Sequence, residues 1–344
     1  MKQLLLVGNP TAQSGKNAAR IERAQALFAQ HGVAAELFST LPAGATIDAL
    51  AERLRLDRDE VVVSMGGDGT FREVAAAIVE ASARVTLGML PTGTANDQGK
   101  SFGLGATEAA LERNVAVVVA GKCCGLDAGR LVLCDAAGSA ERADYFFDSA
   151  GFGLSARVLA VRNKDRETVA KLGPLKELYR DQLVYAGALL RTFLEAQVVD
   201  DKFSAVVEAD GTSHTFHGLT DLIFKGTRLY GGAWVFDKTS RPDDGQFECV
   251  VFRGKREWTS KAIVDLEGNP VTEELLNEVG VEHSKPIRAA HFDVTLAQEG
   301  EVPIAAQIDG EEHPCSHQFR VEVLTRAITL IVPEAFADVS HPTP

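Results

Sequence analysis

Apolar residues in the first 121 positions come as short unbroken runs separated by stretches with helical spacing. The runs at 3–8, 33–38, 61–65, 84–90 and 115–120 have the length and flanks of buried strands. Between them, Ile21, Ala24, Gln25 and Phe28 share one face of a helix over 15–30, closed by Gly32. Ile47, Leu50 and Leu54 do the same over 46–56, and further helices are expected at 71–82 and 106–113. Strand alternating with helix predicts a parallel sheet covered by helices on both faces.

Near residue 122 the rhythm changes. Strands are expected at 126–134, 144–149, 203–209, 213–224, 246–252, 288–296, 303–309 and 318–332, separated by turn signals such as Asp210-Gly211, Asp244-Gly245 and Asp309-Gly310. One long helix over 174–197 carries Leu175, Leu178, Leu183, Ala186, Leu190 and Phe193 on a stripe that reads as core packing. The chain therefore divides into an α/β domain, 1–121, and a β-rich domain, 122–325, with a cleft between them. A chain of 344 residues suits two domains of ordinary size.

Charge narrows the partners. Thirty-five basic against 48 acidic residues give a net charge of −13, which argues against nucleic acid and against a polybasic membrane anchor. Five cysteines without C-x-x-C spacing argue against a disulfide framework and for a reducing, cytoplasmic setting. The apolar run after Met1-Lys2 is too short for a signal peptide, and no run of about 18 apolar residues predicts a membrane span.

The candidate chemistry sits in two glycine-rich loops. Gly66-Gly67-Asp68-Gly69-Thr70 follows a buried strand and opens a helix, where free N–H groups and the helix dipole favour an anion. Glycine lets backbone approach phosphate closely. Thr70 and Glu73 have capping-box spacing and are expected to fix the helix start. A carboxylate at Asp68 among phosphate-binding amides implies an intervening cation, Mg²⁺. Pro91-Thr92-Gly93-Thr94-Ala95-Asn96-Asp97 likewise follows a strand, which brings Asp97 to the same sheet edge as Asp68. Paired carboxylates with glycines and hydroxyls suit Mg²⁺–nucleotide phosphate, hence ATP and phosphoryl transfer. A dinucleotide fingerprint fails because Arg72 stands where its third glycine belongs, and Gly15-Lys16-Asn17 lacks the hydroxyl of a true P-loop. His313, Cys315 and His317 lack the partner pair of a zinc site and read as a strand or turn. Cys123-Cys124 reads as packing.

Together these motifs resemble the diacylglycerol kinase catalytic-domain family of lipid kinases. The resemblance rests on Asn9-Pro10 with Ser14-Gly15, Gly66 to Thr70 with Glu73-Val74, and Gly93 to Asp97. Further along it rests on Gly125-Leu126-Asp127, Arg241-Pro242-Asp243-Asp244-Gly245 and Asp309-Gly310-Glu311. It implies a Rossmann-like N-terminal α/β domain, a β-sandwich after it, ATP in the cleft between them, and a C-terminal segment, 326–344, that returns to the first domain. It implies that Asn9, Ser14, Gly15, Thr40, Gly66, Gly67, Gly69, Thr70, Glu73, Thr92, Gly93, Thr94 and Asn96 line the nucleotide. Asp68, Asp97 and Asp127 would surround Mg²⁺, and Asp244 would hold a second, structural metal. Asp309 would be the base on the acceptor hydroxyl, with Glu311 beside it and Asp68 opposite.

The residues themselves leave Asp309-Gly310 open between a catalytic role and a hairpin turn, and Asp243-Asp244-Gly245 open between metal site and turn. The implied acceptor is diacylglycerol or a related long-chain alcohol, met by transient contact with the inner face of the membrane; a homodimer stays open. The competing functions are a kinase for a soluble hydroxyl compound such as NAD, and a nucleotide-binding protein without turnover.

Overall fold

The computed structural model describes residues 3–93, 96–135, 137–157, 202–227, 229–230, 234–235, 240–254, 285–300 and 303–337. The expected helix over 174–197 lies outside the described residues.

The first half alternates as its apolar runs predict: β1 (Gln3–Gly8), α1 (Lys16–Gln30), β2 (Ala34–Ser39), α2 (Ala45–Leu54), β3 (Val61–Gly66), α3 (Asp68–Ala81), β4 (Thr86–Pro91), α4 (Asp97–Ser101) and α5 (Glu108–Ala120). The four strands are parallel in the order β2-β1-β3-β4. Both faces of the sheet are covered. Leu5 and Val7 of β1 point into one core with Leu50 and Leu54 of α2 and Val74 and Ile78 of α3. Leu4 and Leu6 point the other way, onto Ile21 and Phe28 of α1 and Leu111, Val115 and Val118 of α5. Such alternation, apolar on both sides, belongs to a buried parallel strand.

The strand expected at 115–120 is instead the second half of α5. Its valines favour a strand by local propensity, as β-branched residues do. Here Thr107 accepts from Ala110 N–H to start the helix, and Gly121, at φ 64, ends it. Val115 and Val118 then meet the sheet at helical spacing, and a side chain at Gly88 of β4 would collide with Val118. Tertiary packing overrides local propensity at this position.

The second half is almost entirely strand: β5 (Cys123–Cys134), β6 (Ala140–Phe146), β7 (Ser149–Gly153), β8 (Phe203–Ala209), β9 (Thr212–Leu219), β10 (Asp221–Lys225), β11 (Leu229–Tyr230), β12 (Trp234–Val235), β13 (Phe247–Phe252), β14 (Ile287–Ala289), β15 (His291–Gln298), β16 (Ala306–Ile308), β17 (Glu311–His313) and β18 (Gln318–Ile331). One antiparallel sheet runs β14-β13-β10-β7-β16-β17. It packs on β5, β8, β15 and the first part of β18 through Phe146, Phe152, Phe224, Phe247, Phe292 and Phe319. This is a sandwich with an aromatic centre; the Phe152 and Phe319 rings stack at 4.2 Å.

The long strand β18 joins the halves. Its first part pairs antiparallel with β15, and its end lies beside β4, Thr329 next to Thr86. A bulge between Leu324 and Ile328 separates the two parts, with Arg326 in the left-handed region at φ 49. The α/β sheet and one layer of the sandwich are thereby a single ten-stranded sheet among the described residues. No helix among the described residues is long and apolar enough to cross a membrane.

Candidate functional site

Parallel strands end on one edge, and in this sheet the winding reverses between β1 and β3. Loops at the carboxyl ends beside such a reversal form the usual ligand crevice of an open α/β sheet. Asn9 follows β1 there, its Oδ1 accepting from the N–H and hydroxyl of Thr11 at 3.0 and 2.8 Å. Thr40 follows β2, its N–H donating to the Gly8 carbonyl at 3.1 Å. Gly15 opens α1 in the left-handed conformation, φ 85, with Ser14 in the turn before it.

The two glycine loops touch backbone to backbone. Thr92 N–H donates to the Gly66 carbonyl at 2.8 Å, and the Gly93 Cβ that an alanine would carry falls 2.5 Å from Gly67 Cα. Asn96, at φ 54, closes its own loop: Oδ1 accepts from Gly93 N–H at 2.9 Å and Nδ2 donates to the Gly93 carbonyl at 2.7 Å. Thr94 lies outside the described residues.

The expected capping box is absent. Helix α3 starts at Asp68, capped by the extended backbone of Gly67 without a side-chain bond. Thr70 falls inside the helix, where its side chain turns back over Gly66 and leaves no room for a Cβ there. Glu73 faces Thr46 of α2 instead, and burial raises its pKa. The helix begins three residues earlier than the box requires because glycine at 67 permits the sharp entry.

Four carboxylates gather where these loops meet the second sheet. Asp68 Oδ1 accepts from Gln98 N–H at 3.2 Å and so spans the two loops. Asp97 Oδ1 is buried with no hydrogen-bond partner. Asp148, between β6 and β7, was not anticipated; its charge acts on Asp68, Asp97 and Asp309. Burial, followed by repulsion from Asp148, pushes Asp97 up to about 7; burial likewise raises Asp68. An orphaned buried oxygen among mutually repelling carboxylates fits a divalent cation held by Asp68 and Asp97. Among the described residues no three acidic, histidine or cysteine side chains converge into a complete metal cage, so nucleotide phosphates or water would fill the remaining positions.

Asp309-Gly310 is a two-residue hairpin turn between β16 and β17, with φ 46 and 79. The turn does not exhaust its role. The Asp309 carboxylate points inward, accepting from Phe147 N–H at 2.8 Å, Asp148 N–H at 2.8 Å and Ser149 N–H at 3.0 Å. Burial and Asp148 lift it to about 7, against the pull of those three amides. Glu311, next in the hairpin, lies against Gly69 and pairs with Arg72 Nη2 at 2.7 Å. The hairpin thus closes directly on the start of α3.

Two carboxylates do not join this group. Asp127 clamps the bulge of β18: Oδ1 accepts from Arg326 N–H at 2.6 Å and Oδ2 from Gly245 N–H at 2.7 Å. Its acidic neighbours are Asp243 and Asp244, and burial lifts it to about 6. Asp244 accepts from Gln246 N–H at 3.1 Å and from Arg288 Nη2 at 2.5 Å, so a guanidinium stands where the resemblance implied a metal. Asp148 and its partner Lys225, 2.9 Å away, escaped the sequence reading. The available signal was a charged residue closing each of two apolar runs, Phe146-Phe147-Asp148 and Leu222-Ile223-Phe224-Lys225.

Residues 3–131 match the family described as Diacylglycerol kinase catalytic domain. Over 90 residues, 26% of this chain, the sequence is 38% identical to a protein of Klebsiella pneumoniae (strain 342) named "Probable lipid kinase YegS-like". Over 106 residues, 30% of this chain, it is 34% identical to a Diacylglycerol kinase of Bacillus subtilis (strain 168). These matches span 30% and 34% of the relatives' own lengths, about a third. A solved diacylglycerol kinase from Bacillus anthracis str. Sterne superposes with a TM-score of 0.68 at 20% identity, covering 97% of this chain and 98% of that one. At that identity the likeness is one of fold.

Proposed function

We propose that this chain, whose residues 3–131 carry a Diacylglycerol kinase catalytic domain, transfers the γ-phosphoryl group of ATP to the hydroxyl of a lipid such as diacylglycerol. The observation that carries this reading is the closure of the Asp309–Glu311 hairpin on α3 at Gly69, which sets an acceptor-side carboxylate across from the glycine loops.

On the donor side, Asn9, Gly15, Thr40, Gly66, Gly67, Thr92 and Gly93 offer backbone and short polar groups along one strand edge. A Mg²⁺ ion held by Asp68 and Asp97 would supply charge stabilisation for the phosphates. On the acceptor side, the Asp309 carboxylate is fixed by three amides and orients the hydroxyl. An alcohol of pKa ~15 is not ionised beforehand. Its oxygen forms the bond to γ-phosphorus as the bond to the bridging oxygen breaks and ADP departs, and the proton passes to Asp309 late in the transfer. A pKa near 7 suits that acceptance. The lipid acceptor is supported by the relatives named as diacylglycerol kinase and probable lipid kinase, and brings with it transient contact with a membrane face.

Radiolabelled ATP with Mg²⁺, offered to diacylglycerol and other long-chain alcohols in mixed micelles and to NAD and simple polyols in buffer, tests this. Label in a lipid product that disappears in Asp309→Asn is the expected result. Label only in a soluble acceptor overturns the lipid assignment, and label in none overturns the kinase.

A further inference from the structure

Strands β7 and β10 lie side by side, Ser149 next to Lys225. At this end of the pair sits an ammonium almost sealed from solvent: Lys225 is 2% exposed and Asp148 6%. Lys225 Nζ donates to Asp148 Oδ1 at 2.9 Å and to Thr227 Oγ1 at 3.0 Å, and stands 5.7 Å from the Tyr230 ring centroid. The Thr227 hydroxyl donates to the same Asp148 oxygen, and Ser149 Oγ donates to the other at 3.1 Å. Asp148 also holds its surroundings through backbone: its N–H reaches Asp309, and its carbonyl accepts from Gly226 N–H at 3.0 Å.

A buried ammonium needs anionic company, and a buried carboxylate needs cationic company. Asp148 is shared. It repels Asp68, Asp97 and Asp309, while Lys100, at the exposed end of α4, and the buried Lys225 act on Asp97 in the opposite sense. The cluster therefore carries four carboxyl groups, and among the described residues Lys225 is a buried cation bonded within it.

We propose that Lys225 is a built-in cation of the cleft, anchored by Asp148, which offsets one carboxylate charge and thereby sets how strongly the Asp68–Asp97 face attracts a divalent ion. Through the Asp148 N–H the same pair positions Asp309. Its consequence for turnover rests on the kinase reading; its charge does not.

Mn²⁺ binding without nucleotide, followed by the free-ion paramagnetic resonance signal, reads that charge directly. Lys225→Gln keeps a donor toward Asp148 while removing the charge, and is expected to bind Mn²⁺ at least tenfold more tightly than wild type. Asp148→Asn is expected to bind it more weakly, and Asp148→Asn/Lys225→Gln to return within about threefold of wild type. Asp97→Asn added to Lys225→Gln should abolish the gain, which locates it at this site. Thermal unfolding of each variant confirms the fold, and the opposite sign expected for Asp148→Asn keeps the test decisive should Lys225→Gln not fold. Equal affinities in wild type and Lys225→Gln, no Mn²⁺ bound by either, or the same direction of change in both single variants would overturn the assignment. Failure of wild type to phosphorylate any acceptor counts against the kinase alone and leaves the Mn²⁺ comparison standing.

Discussion

Glu311 Oε2 accepts from Arg72 Nη2 at 2.7 Å, and this bond ties the Asp309–Glu311 hairpin to the helix that begins at the first glycine loop. The Glu311 side chain is half exposed, so the pair contributes under about 1 kcal/mol to stability. Its value lies in holding the hairpin closed. Glu311→Gln and Arg72→Met are each expected to shift the urea midpoint little, to lower kcat about tenfold, near 1.4 kcal/mol in barrier, and to leave KM for ATP within about twofold. An unchanged kcat in both variants would show that closure is set elsewhere.

Glycines at the loops are expected to differ sharply in tolerance. A Cβ at Gly69 meets the Glu311 carboxylate, the far end of a flexible side chain that can swing away. A Cβ at Gly93 meets Gly67 Cα at 2.5 Å and Asn96 Oδ1 at 2.9 Å, which cannot move without parting the loops. Gly93→Ala should therefore cost about 1–3 kcal/mol and weaken ATP binding at least tenfold by calorimetry. Gly69→Ala should cost under about 1 kcal/mol and weaken binding much less. Equal losses would contradict the backbone contact as the determinant.

Much of this arrangement was legible in the chain. The apolar runs before Gly66 and Pro91 read as buried strands, and glycines at their ends placed two loops on one edge because parallel strands share a direction. The inward carboxylate of Asp309 was foreseen only as one of two options; the structure makes it both turn residue and inward-facing group. Other features depend on tertiary contacts that no local pattern encodes. Val115 to Val119 favour a strand until the space beside Gly88 is considered. Thr70 and Glu73 match a capping box until the extended Gly67 shifts the helix start. Asp148 and Lys225 are 77 positions apart, and either alone looks like a charge at a strand end. Only pairing of β7 with β10 makes them partners.

Asp127 gives a test of architecture against metal binding. Its two oxygens satisfy the N–H groups of Arg326 and Gly245 and so fasten the bulge where β18 passes between the halves. Asp127→Asn places an amide NH₂ toward one of those donors and leaves it unmatched. A loss of about 1–3 kcal/mol in unfolding free energy is expected, with Mg²⁺·ATP affinity within about threefold of wild type. A large loss of Mg²⁺·ATP affinity at unchanged stability would return Asp127 to the metal site.

The raised carboxyls make stability depend on pH in a definite direction. Asp97 and Asp309 are lifted to about 7 and Asp127 to about 6, chiefly by burial. In the unfolded chain each titrates near ~4. Between about pH 4 and 7 the folded protein therefore retains protons that the unfolded chain has lost, and stability falls as pH rises through that window. The decline is on the order of a few kcal/mol, since the groups are coupled and do not simply add. Asp144 works oppositely: its bond to His313, with help from Arg142, depresses its pKa, so its contribution is complete above about pH 4 and is lost only below. It does not offset the decline. A divalent cation selects the ionised carboxylates, so Mg²⁺ should stabilise the protein more at pH 8 than at pH 5 and flatten the profile. Urea unfolding at pH 5, 6, 7 and 8, with EDTA and then with Mg²⁺, measures both slopes. Asp97→Asn should remove part of the EDTA slope and most of the Mg²⁺ response. A flat EDTA profile would mean that these carboxyls are ionised throughout, and that Lys225 compensates more of the cluster than Asp148 alone requires.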